Sequence, residues 1–349
     1  MARTKGITVV LGGTHPSAVP SEALMHADSV VIGHADRTWP LLLRDFTGKK
    51  LKRVYRDSCP LPCNFSVVTP DRSLLGKGVY RFTNCIEATR GCPNGCEFCA
   101  VKAQNPSAVC RDLNNLSNEI CTMGKYLLFL DSNHTEFKEY NDQLWPMLKD
   151  LGKRWFCASS MRFASDPARV KQAVDCGLRG VLIGFESVNQ KALAGINKHF
   201  NSVEKYYESV KRLHDYGVVV FGNFIFGFDQ DDESVFEKTV EFVIKAKIDI
   251  VRYAILTPLP STPLYASFVK SNRIIDFNWG HYDTDHALFK PANMAPGALE
   301  AGLMRAYQDT YTYMSIAKRL NWTGETTLLS IIGNLGFRKL FKYSICGGA

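Results

Sequence analysis

At 349 residues the chain is long for one domain and allows two, or one barrel-sized domain with an appendage. Hydrophobic residues at 46% and charged residues at 22% exclude a disordered, collagenous or membrane-spanning chain. The charge of +8 is a modest excess that reads as solvated surface, and no nucleic-acid partner is expected from it.

The front of the chain is a small α/β pattern: a strand over 7–11, a turn at Gly12-Gly13, a helix over 21–26, a strand over 29–33 and a helix over 38–46. Residues 1–56 hold too little sheet to fold comfortably alone. Residues 57–79 read as a linker, polar and proline-rich around Cys59-Pro60-Leu61-Pro62-Cys63. From residue 80, apolar runs over 81–89, 126–131, 154–160, 180–186, 218–227 and 249–256 read as buried strands. Amphipathic helices alternate with them, such as 166–176 and 202–216, where Val203, Tyr206, Val210 and Leu213 recur at helical spacing and Gly217 supplies the stop. Six strands separated by helices predict an α/β fold, a six-unit partial (β/α) barrel over 80–270, short of the eight units of a closed one. Residues 271–349 read as a helical C-terminal region, with one long helix over 297–320 and a basic, partly apolar tail over 328–343 that packs on the barrel or lies near lipid. No apolar run approaches the roughly 18 residues a membrane span needs.

Eleven cysteines are an odd number in a chain with no clean secretory signal. A reducing cytoplasm with metal or catalytic thiols is therefore expected, rather than a disulfide framework. The densest chemical signal is Arg90-Gly91-Cys92-Pro93-Asn94-Gly95-Cys96-Glu97-Phe98-Cys99, three thiols at C-x3-C-x2-C directly after the first barrel strand. A cubane iron–sulfur cluster takes four cysteine ligands, so three leave one iron open to an exogenous ligand. The competing reading is a three-cysteine zinc site, which would need a fourth ligand close by; Cys85 and Cys110 are the nearest candidates. Cys59 and Cys63 share the first spacing without a third thiol and read as linker thiols.

This cluster motif, with an aromatic residue before its last cysteine, resembles the radical S-adenosylmethionine (SAM) superfamily. Gly184-Phe185-Glu186-Ser187, Phe224-Ile225-Phe226-Gly227-Phe228-Asp229 and Thr257-Pro258-Leu259-Pro260-Ser261 extend the resemblance to the subgroup with a cobalamin-binding domain ahead of the barrel, to which hopanoid C2 methylases and the anaerobic bacteriochlorophyll cyclase belong. The resemblance implies that Cys92, Cys96 and Cys99 hold a 4Fe-4S cluster whose open iron takes the amino and carboxylate groups of SAM. An electron from the cluster would then split the sulfonium to methionine and a 5'-deoxyadenosyl radical. Glu186, with Ser187, would hold the ammonium or ribose; Ser159, Ser160 and Arg162 the methionine carboxylate; Phe98, Asn223 and Ile225 would contact the cofactor. Asp131-Ser132-Asn133-His134 sits on the active face by topology, as a substrate contact or a capping Asp.

Residues 1–56 resemble only the later part of a cobalamin-binding Rossmann-like unit, with Gly12-Gly13-Thr14-His15-Pro16 as its glycine turn and Gly33-His34-Ala35-Asp36 as its closing loop. The stretch that would carry a lower-axial histidine would precede Met1, and His15 is a poor replacement. Cobalamin is therefore expected to bind weakly or not at all, with this unit packed against the barrel or a partner chain. The leading expectation is an oxygen-sensitive enzyme that modifies an unactivated carbon of a small-molecule or lipid substrate by methylation, cyclisation or rearrangement, supplied with electrons by a flavodoxin or ferredoxin. The alternatives are a tRNA methylthiotransferase-like enzyme, whose extra three-cysteine domain and RNA-binding β-domain are not found, and a non-catalytic iron–sulfur protein.

Overall fold

The computed structural model describes residues 3–57, 64–76, 80, 82–320 and 326–346; Cys59 and Cys63 lie outside them. The front unit is a three-stranded parallel sheet of β1 (Val10–Leu11), β2 (Ser29–Ile32) and β3 (Val54–Arg56) in the order β1-β2-β3. Helices Thr14–Ala18 and Pro20–His26 make the first crossover, and Thr38–Thr47 the second. The third strand was not legible in the sequence: at three residues, with only Tyr55 buried, it carries no period of its own and is defined by pairing to β2.

The first run expected as a strand, 81–89, divides. Only β4 (Cys85–Ile86) joins the main sheet, while β5 (Thr89–Arg90) turns away to pair antiparallel with β6 (Val109–Cys110). The Asp131 carboxylate causes the break by accepting the Ala88 N–H at 2.8 Å, so a side chain replaces the ladder hydrogen bond where the chain leaves the sheet. The remaining strands follow as expected: β7 (Tyr126–Phe129), β8 (Arg154–Ser159), β9 (Leu178–Glu186), β10 (Val219–Phe226) and β11 (Ile250–Ile255). Together with β4 they form one parallel sheet in strict sequence order, β11-β10-β9-β8-β7-β4, an open six-stranded partial barrel.

Strand alternation builds the core. On β10, Phe224 and Phe226 are buried against the helices, whereas Phe221, Asn223 and Ile225 fall on the opposite, concave face. Local signals set the helices that cover the outside. Asp166 caps Pro167–Asp175 by accepting from the Ala168 and Arg169 N–H groups, and Tyr206–Asp215 buries Tyr206, Val210 and Leu213.

The C-terminal region closes the free edge of β11. Tyr307 and Tyr311 each place a hydroxyl on an edge backbone pair: Tyr307 between the N–H and C=O of Tyr253, Tyr311 between those of Val251. Side chains thus pair the groups that would otherwise template another strand. The expected single helix over 297–320 is two, Pro296–Thr310 and Tyr313–Arg319, because Thr312 caps the second by accepting from the Ser315 N–H. Helix Thr327–Cys346 follows and docks on this base, where buried Arg319 binds Asn334 and the carbonyls of Ile248, Asp249 and Thr310. No helix among the described residues is long and apolar enough to cross a membrane.

Candidate active site at the barrel mouth

The three expected cluster cysteines lie on the loop that follows β5 at the C-terminal mouth of the barrel, all half-buried with free thiols. Gly91 opens the loop at φ 80°, and a Cβ there would meet the Ser107 carbonyl at 2.4 Å, so the sharp turn into Cys92 requires glycine. Three contacts pin the loop backbone from distant segments. Glu97 N–H donates to the Ile196 carbonyl, Asn197 Nδ2 donates to the Gly95 carbonyl, and Leu264 N–H donates to the Glu97 carbonyl. Phe98 anchors the loop by packing against the main core.

Those contacts bring in a residue the sequence reading missed. Lys198 is buried, its ammonium is bonded to the Glu186 carboxylate, and its charge is felt at Cys96 and Cys99. Burial pushes the Cys96 thiol up to about 11 and raises Cys99 as well, while the Lys198 ammonium pulls both down. In sequence Lys198 reads as a solvent-facing residue after a short helix; only the pairing of its loop with the cysteine loop, about a hundred residues earlier, reveals it.

Glu186 reaches this position through a bulge. Asn223 pairs with Gly184 and Phe224 pairs with Glu186, so Phe185 is skipped, and Glu186 takes φ 63°. Phe185 stacks instead on Phe224 outside the sheet, with ring centroids 5.3 Å apart. Asn201 Nδ2 satisfies the bulge carbonyls of Gly184 and Phe185 at 3.0 and 3.1 Å, and the Tyr206 hydroxyl adds a bond to Phe185 O. Gly184 leaves room for the result: a Cβ there would lie 2.3 Å from Glu186 Oε1 and 2.9 Å from Lys198 Nζ.

Other expected contacts are engaged elsewhere. Ser187 is buried and accepts from the Asn189 N–H in a turn. Ser159 bonds Thr135, while Ser160 and Arg162 both bond Glu136, Arg162 at 2.6 Å. Asn223 and Ile225 stand on the concave face, and Asn223 Oδ1 is a buried acceptor without a partner in the protein. In the 131–134 segment, Trp145 donates its indole N–H to His134 Nε2. The proton of this buried histidine therefore sits on Nδ1, which donates to Asp131 at 2.7 Å. Asp131 and His134 thus shape the loop rather than face a substrate. His214, His281 and His286 pair with Asp249, Asp276 and Asp283.

The residues fit a cluster with SAM. Among the described residues no three His, Cys, Asp or Glu side chains are arranged to share one metal ion. The Cys92, Cys96 and Cys99 thiols stand close enough to act on one another electrostatically, and three such ligands suit a cubane whose fourth iron takes an exogenous ligand. Beside them stand a carboxylate and an ammonium, complementary to the amino acid end of SAM, and the unpartnered Asn223 acceptor.

Between the front unit and the barrel runs a cavity of about 950 Å³, lined by Gly13, Gly33 and Trp39 on one side and by Glu87, Arg90 and Leu130 on the other. Arg90, two residues before Cys92, bonds Asp36 of the front unit at 2.6 Å and Glu87 at 2.7 Å, and stacks on Phe65. The front unit is further fastened by the Trp279 indole on Glu22 and the Ser261 hydroxyl on the Ala18 carbonyl.

The model of the radical SAM superfamily matches residues 86–243, from β4 into the helix after β10. Bacteriochlorophyllide d C-12(1)-methyltransferase of Chlorobaculum tepidum is 31% identical, over 92% of this chain and 74% of its own. Bacteriochlorophyllide d C-8(2)-methyltransferase of the same organism is also 31% identical, over 97% and 79%. This chain belongs to the radical SAM superfamily. It is a radical SAM enzyme, and membership brings a 4Fe-4S cluster, SAM, a reductant and a small-molecule substrate. Among solved structures, the radical SAM methyltransferase TsrM of Kitasatospora setae with cobalamin and a [4Fe-4S] cluster bound superposes with a TM-score of 0.66, over 97% of this chain and 82% of that one, at 14% identity. That likeness extends the shared fold through the front unit.

Proposed function

We propose that this enzyme methylates an unactivated carbon of a tetrapyrrole-class substrate, with Cys92, Cys96 and Cys99 holding the cluster. The observation that carries the reading is the 31% identity to two tetrapyrrole methyltransferases, which spans the front unit as well as the barrel. When bound, the cluster supplies the electron that splits SAM to a hydrogen-abstracting 5'-deoxyadenosyl radical, and cobalamin supplies the methyl group.

The protein's own part is positioning. Glu186 would receive the cofactor ammonium, and Lys198, released from that pair, the carboxylate; both charges stand buried beside the thiols, where a low dielectric strengthens them. Asn223 would take an N–H or O–H of the adenosyl group on its free oxygen. The cavity between front unit and barrel would take the corrin. Its exposed apolar walls, Trp39 at 45%, Val68 at 92% and Leu130 at 62%, fit a large flat amphipathic group. Of the described front-unit histidines, His15 lies edge-on to Trp279 and His34 contacts Arg90. A flavodoxin or ferredoxin would deliver the electron.

The test is anaerobic incubation of reconstituted protein with a low-potential reductant, methyl-labelled SAM, hydroxocobalamin and a bacteriochlorophyllide. Labelled methyl on the tetrapyrrole together with 5'-deoxyadenosine is expected. Deoxyadenosine with an unmethylated, altered substrate would replace methylation by cyclisation or rearrangement.

A further inference from the structure

The segment after β7 carries a buried hydrogen-bond chain that ends on a cysteine sulfur. Asn133, Thr135 and Ser159 are each less than 9% exposed. Asn133 Nδ2 lies 3.8 Å from Cys92 Sγ, Thr135 Oγ1 lies 3.5 Å from Asn133 Oδ1, and Ser159 Oγ lies 2.9 Å from Thr135 Oγ1. The polarity follows from the groups themselves. The amide oxygen can only accept, so the Thr135 hydroxyl spends its proton there, and Ser159 must donate to Thr135. With its oxygen occupied, Asn133 presents its N–H side to the sulfur. The segment is itself fixed: Asp131 holds both Ala88 N–H and His134, and Asn141 Nδ2 holds the His134 carbonyl.

We propose that Asn133 is a positioning residue that donates a hydrogen bond to the Cys92 sulfur and thereby raises the reduction potential of the cluster this thiol holds. The inference rests on the assignment of Cys92 as a cluster ligand. Adding an electron increases the negative charge on the cluster sulfurs, so an N–H aimed at one of them favours the reduced form. Most cysteine sulfurs at an iron–sulfur centre receive such bonds from backbone amides; here a side chain does so, and its orientation is set from the third barrel strand. Ser159 accordingly acts through this chain and not on the SAM carboxylate.

The experiment is a spectroscopically monitored redox titration of the anaerobically reconstituted full chain, with iron and sulfide counted in each sample. Asn133→Leu, which keeps the volume and removes the donor, is expected to lower the reduced-to-oxidised ratio at a fixed applied potential by about tenfold, roughly 59 mV for a one-electron couple. Asn133→Asp, which replaces the donor by an acceptor, should move it further in the same direction. Thr135→Val, which frees the amide to rotate, should move it less. A loaded Asn133→Leu or Asn133→Asp cluster at the wild-type potential overturns the proposal, and if neither loads, an unshifted Thr135→Val does so. A Cys92→Ala protein that keeps the full complement of iron and sulfide instead overturns the ligand assignment beneath it.

Discussion

The barrel mouth and the cavity beside it are built in opposite ways. At the mouth nearly every polar group has a fixed partner: the bulge carbonyls are taken by Asn201 and Tyr206, the cysteine loop by Ile196, Asn197 and Leu264, and Glu186 by Lys198. Across the seam, the cavity wall carries exposed Trp39, Val68 and Leu130 beside two charged groups, Arg90 with its carboxylates and Glu119 with Arg72 and Arg111. A site that must place an electron and a sulfonium within bonding reach is preorganised. A surface that holds a large cofactor by apolar area can stay open until that cofactor covers it.

Replacing any one of Cys92, Cys96 or Cys99 by Ala should test that contrast most severely. Loss of a ligand should abolish bound iron and sulfide, and with them reductive SAM cleavage, while circular dichroism and corrin retention stay near wild type. A single variant that kept both cluster and cleavage would remove its thiol from the site.

Glu186→Gln comes next. It keeps the shape and removes the charge, so losing a charge-assisted bond to the cofactor should weaken SAM binding by about 1.5–3 kcal/mol, roughly tenfold to 150-fold in Kd, with the cluster intact. Gly184→Ala should act in the same direction, because its Cβ would occupy the space of the Glu186 and Lys198 head groups. Equilibrium binding of SAM to the reconstituted protein measures both, and an unchanged Kd in Glu186→Gln would return that carboxylate to a structural pairing with Lys198.

The mouth also carries a burden that the open cavity lacks. Asp231, in the turn after β10, accepts the N–H groups of Gly227 and Phe228 at 3.0 Å, yet burial pushes its carboxyl from 3.8 up to about 6. Between those values the unfolded chain has lost the proton while the folded chain keeps it. Stability contributed by this group therefore falls as pH rises through that window, and the loss is complete above it. Asn can accept the same two N–H groups without charge. Relative to wild type, Asp231→Asn should gain stability on the order of 2 kcal/mol between about pH 4 and pH 7, read from denaturant midpoints; a difference that does not change with pH would refute it.

Much of the mouth was legible because its signals are local. C-x3-C-x2-C needs no tertiary knowledge, and five of the six barrel strands announce themselves as short apolar runs between helices. What was missed depends on contacts between distant segments. Lys198 becomes a site residue only when its loop pairs with the cysteine loop, β4 stops early only because Asp131 reaches Ala88, and β3 exists only by pairing to β2. Ser159 ends the third barrel strand and Arg162 follows it, as the sequence order implies. Their partners Thr135 and Glu136 come from the preceding strand's loop, and no spacing in the sequence joins them.

The seam between the two regions gives the smallest expected effect. Burial raises the Asp36 carboxyl, but the hydrogen bond and charge of Arg90 outweigh it and hold the group below its usual range. The pair therefore contributes above the ordinary carboxylate pKa and is lost as pH falls through the lowered one. Both side chains are partly open to solvent, 12% for Arg90 and 29% for Asp36, so the contribution should be no more than about 1 kcal/mol. Asp36→Asn should lower the melting temperature by a few degrees or less and reduce hydroxocobalamin retained after desalting. Arg90 keeps Glu87, so the cysteine loop stays in place and iron, sulfide and SAM cleavage should not change. Loss of cluster in Asp36→Asn would instead make the front unit part of the mouth's own scaffold and erase the contrast between the two.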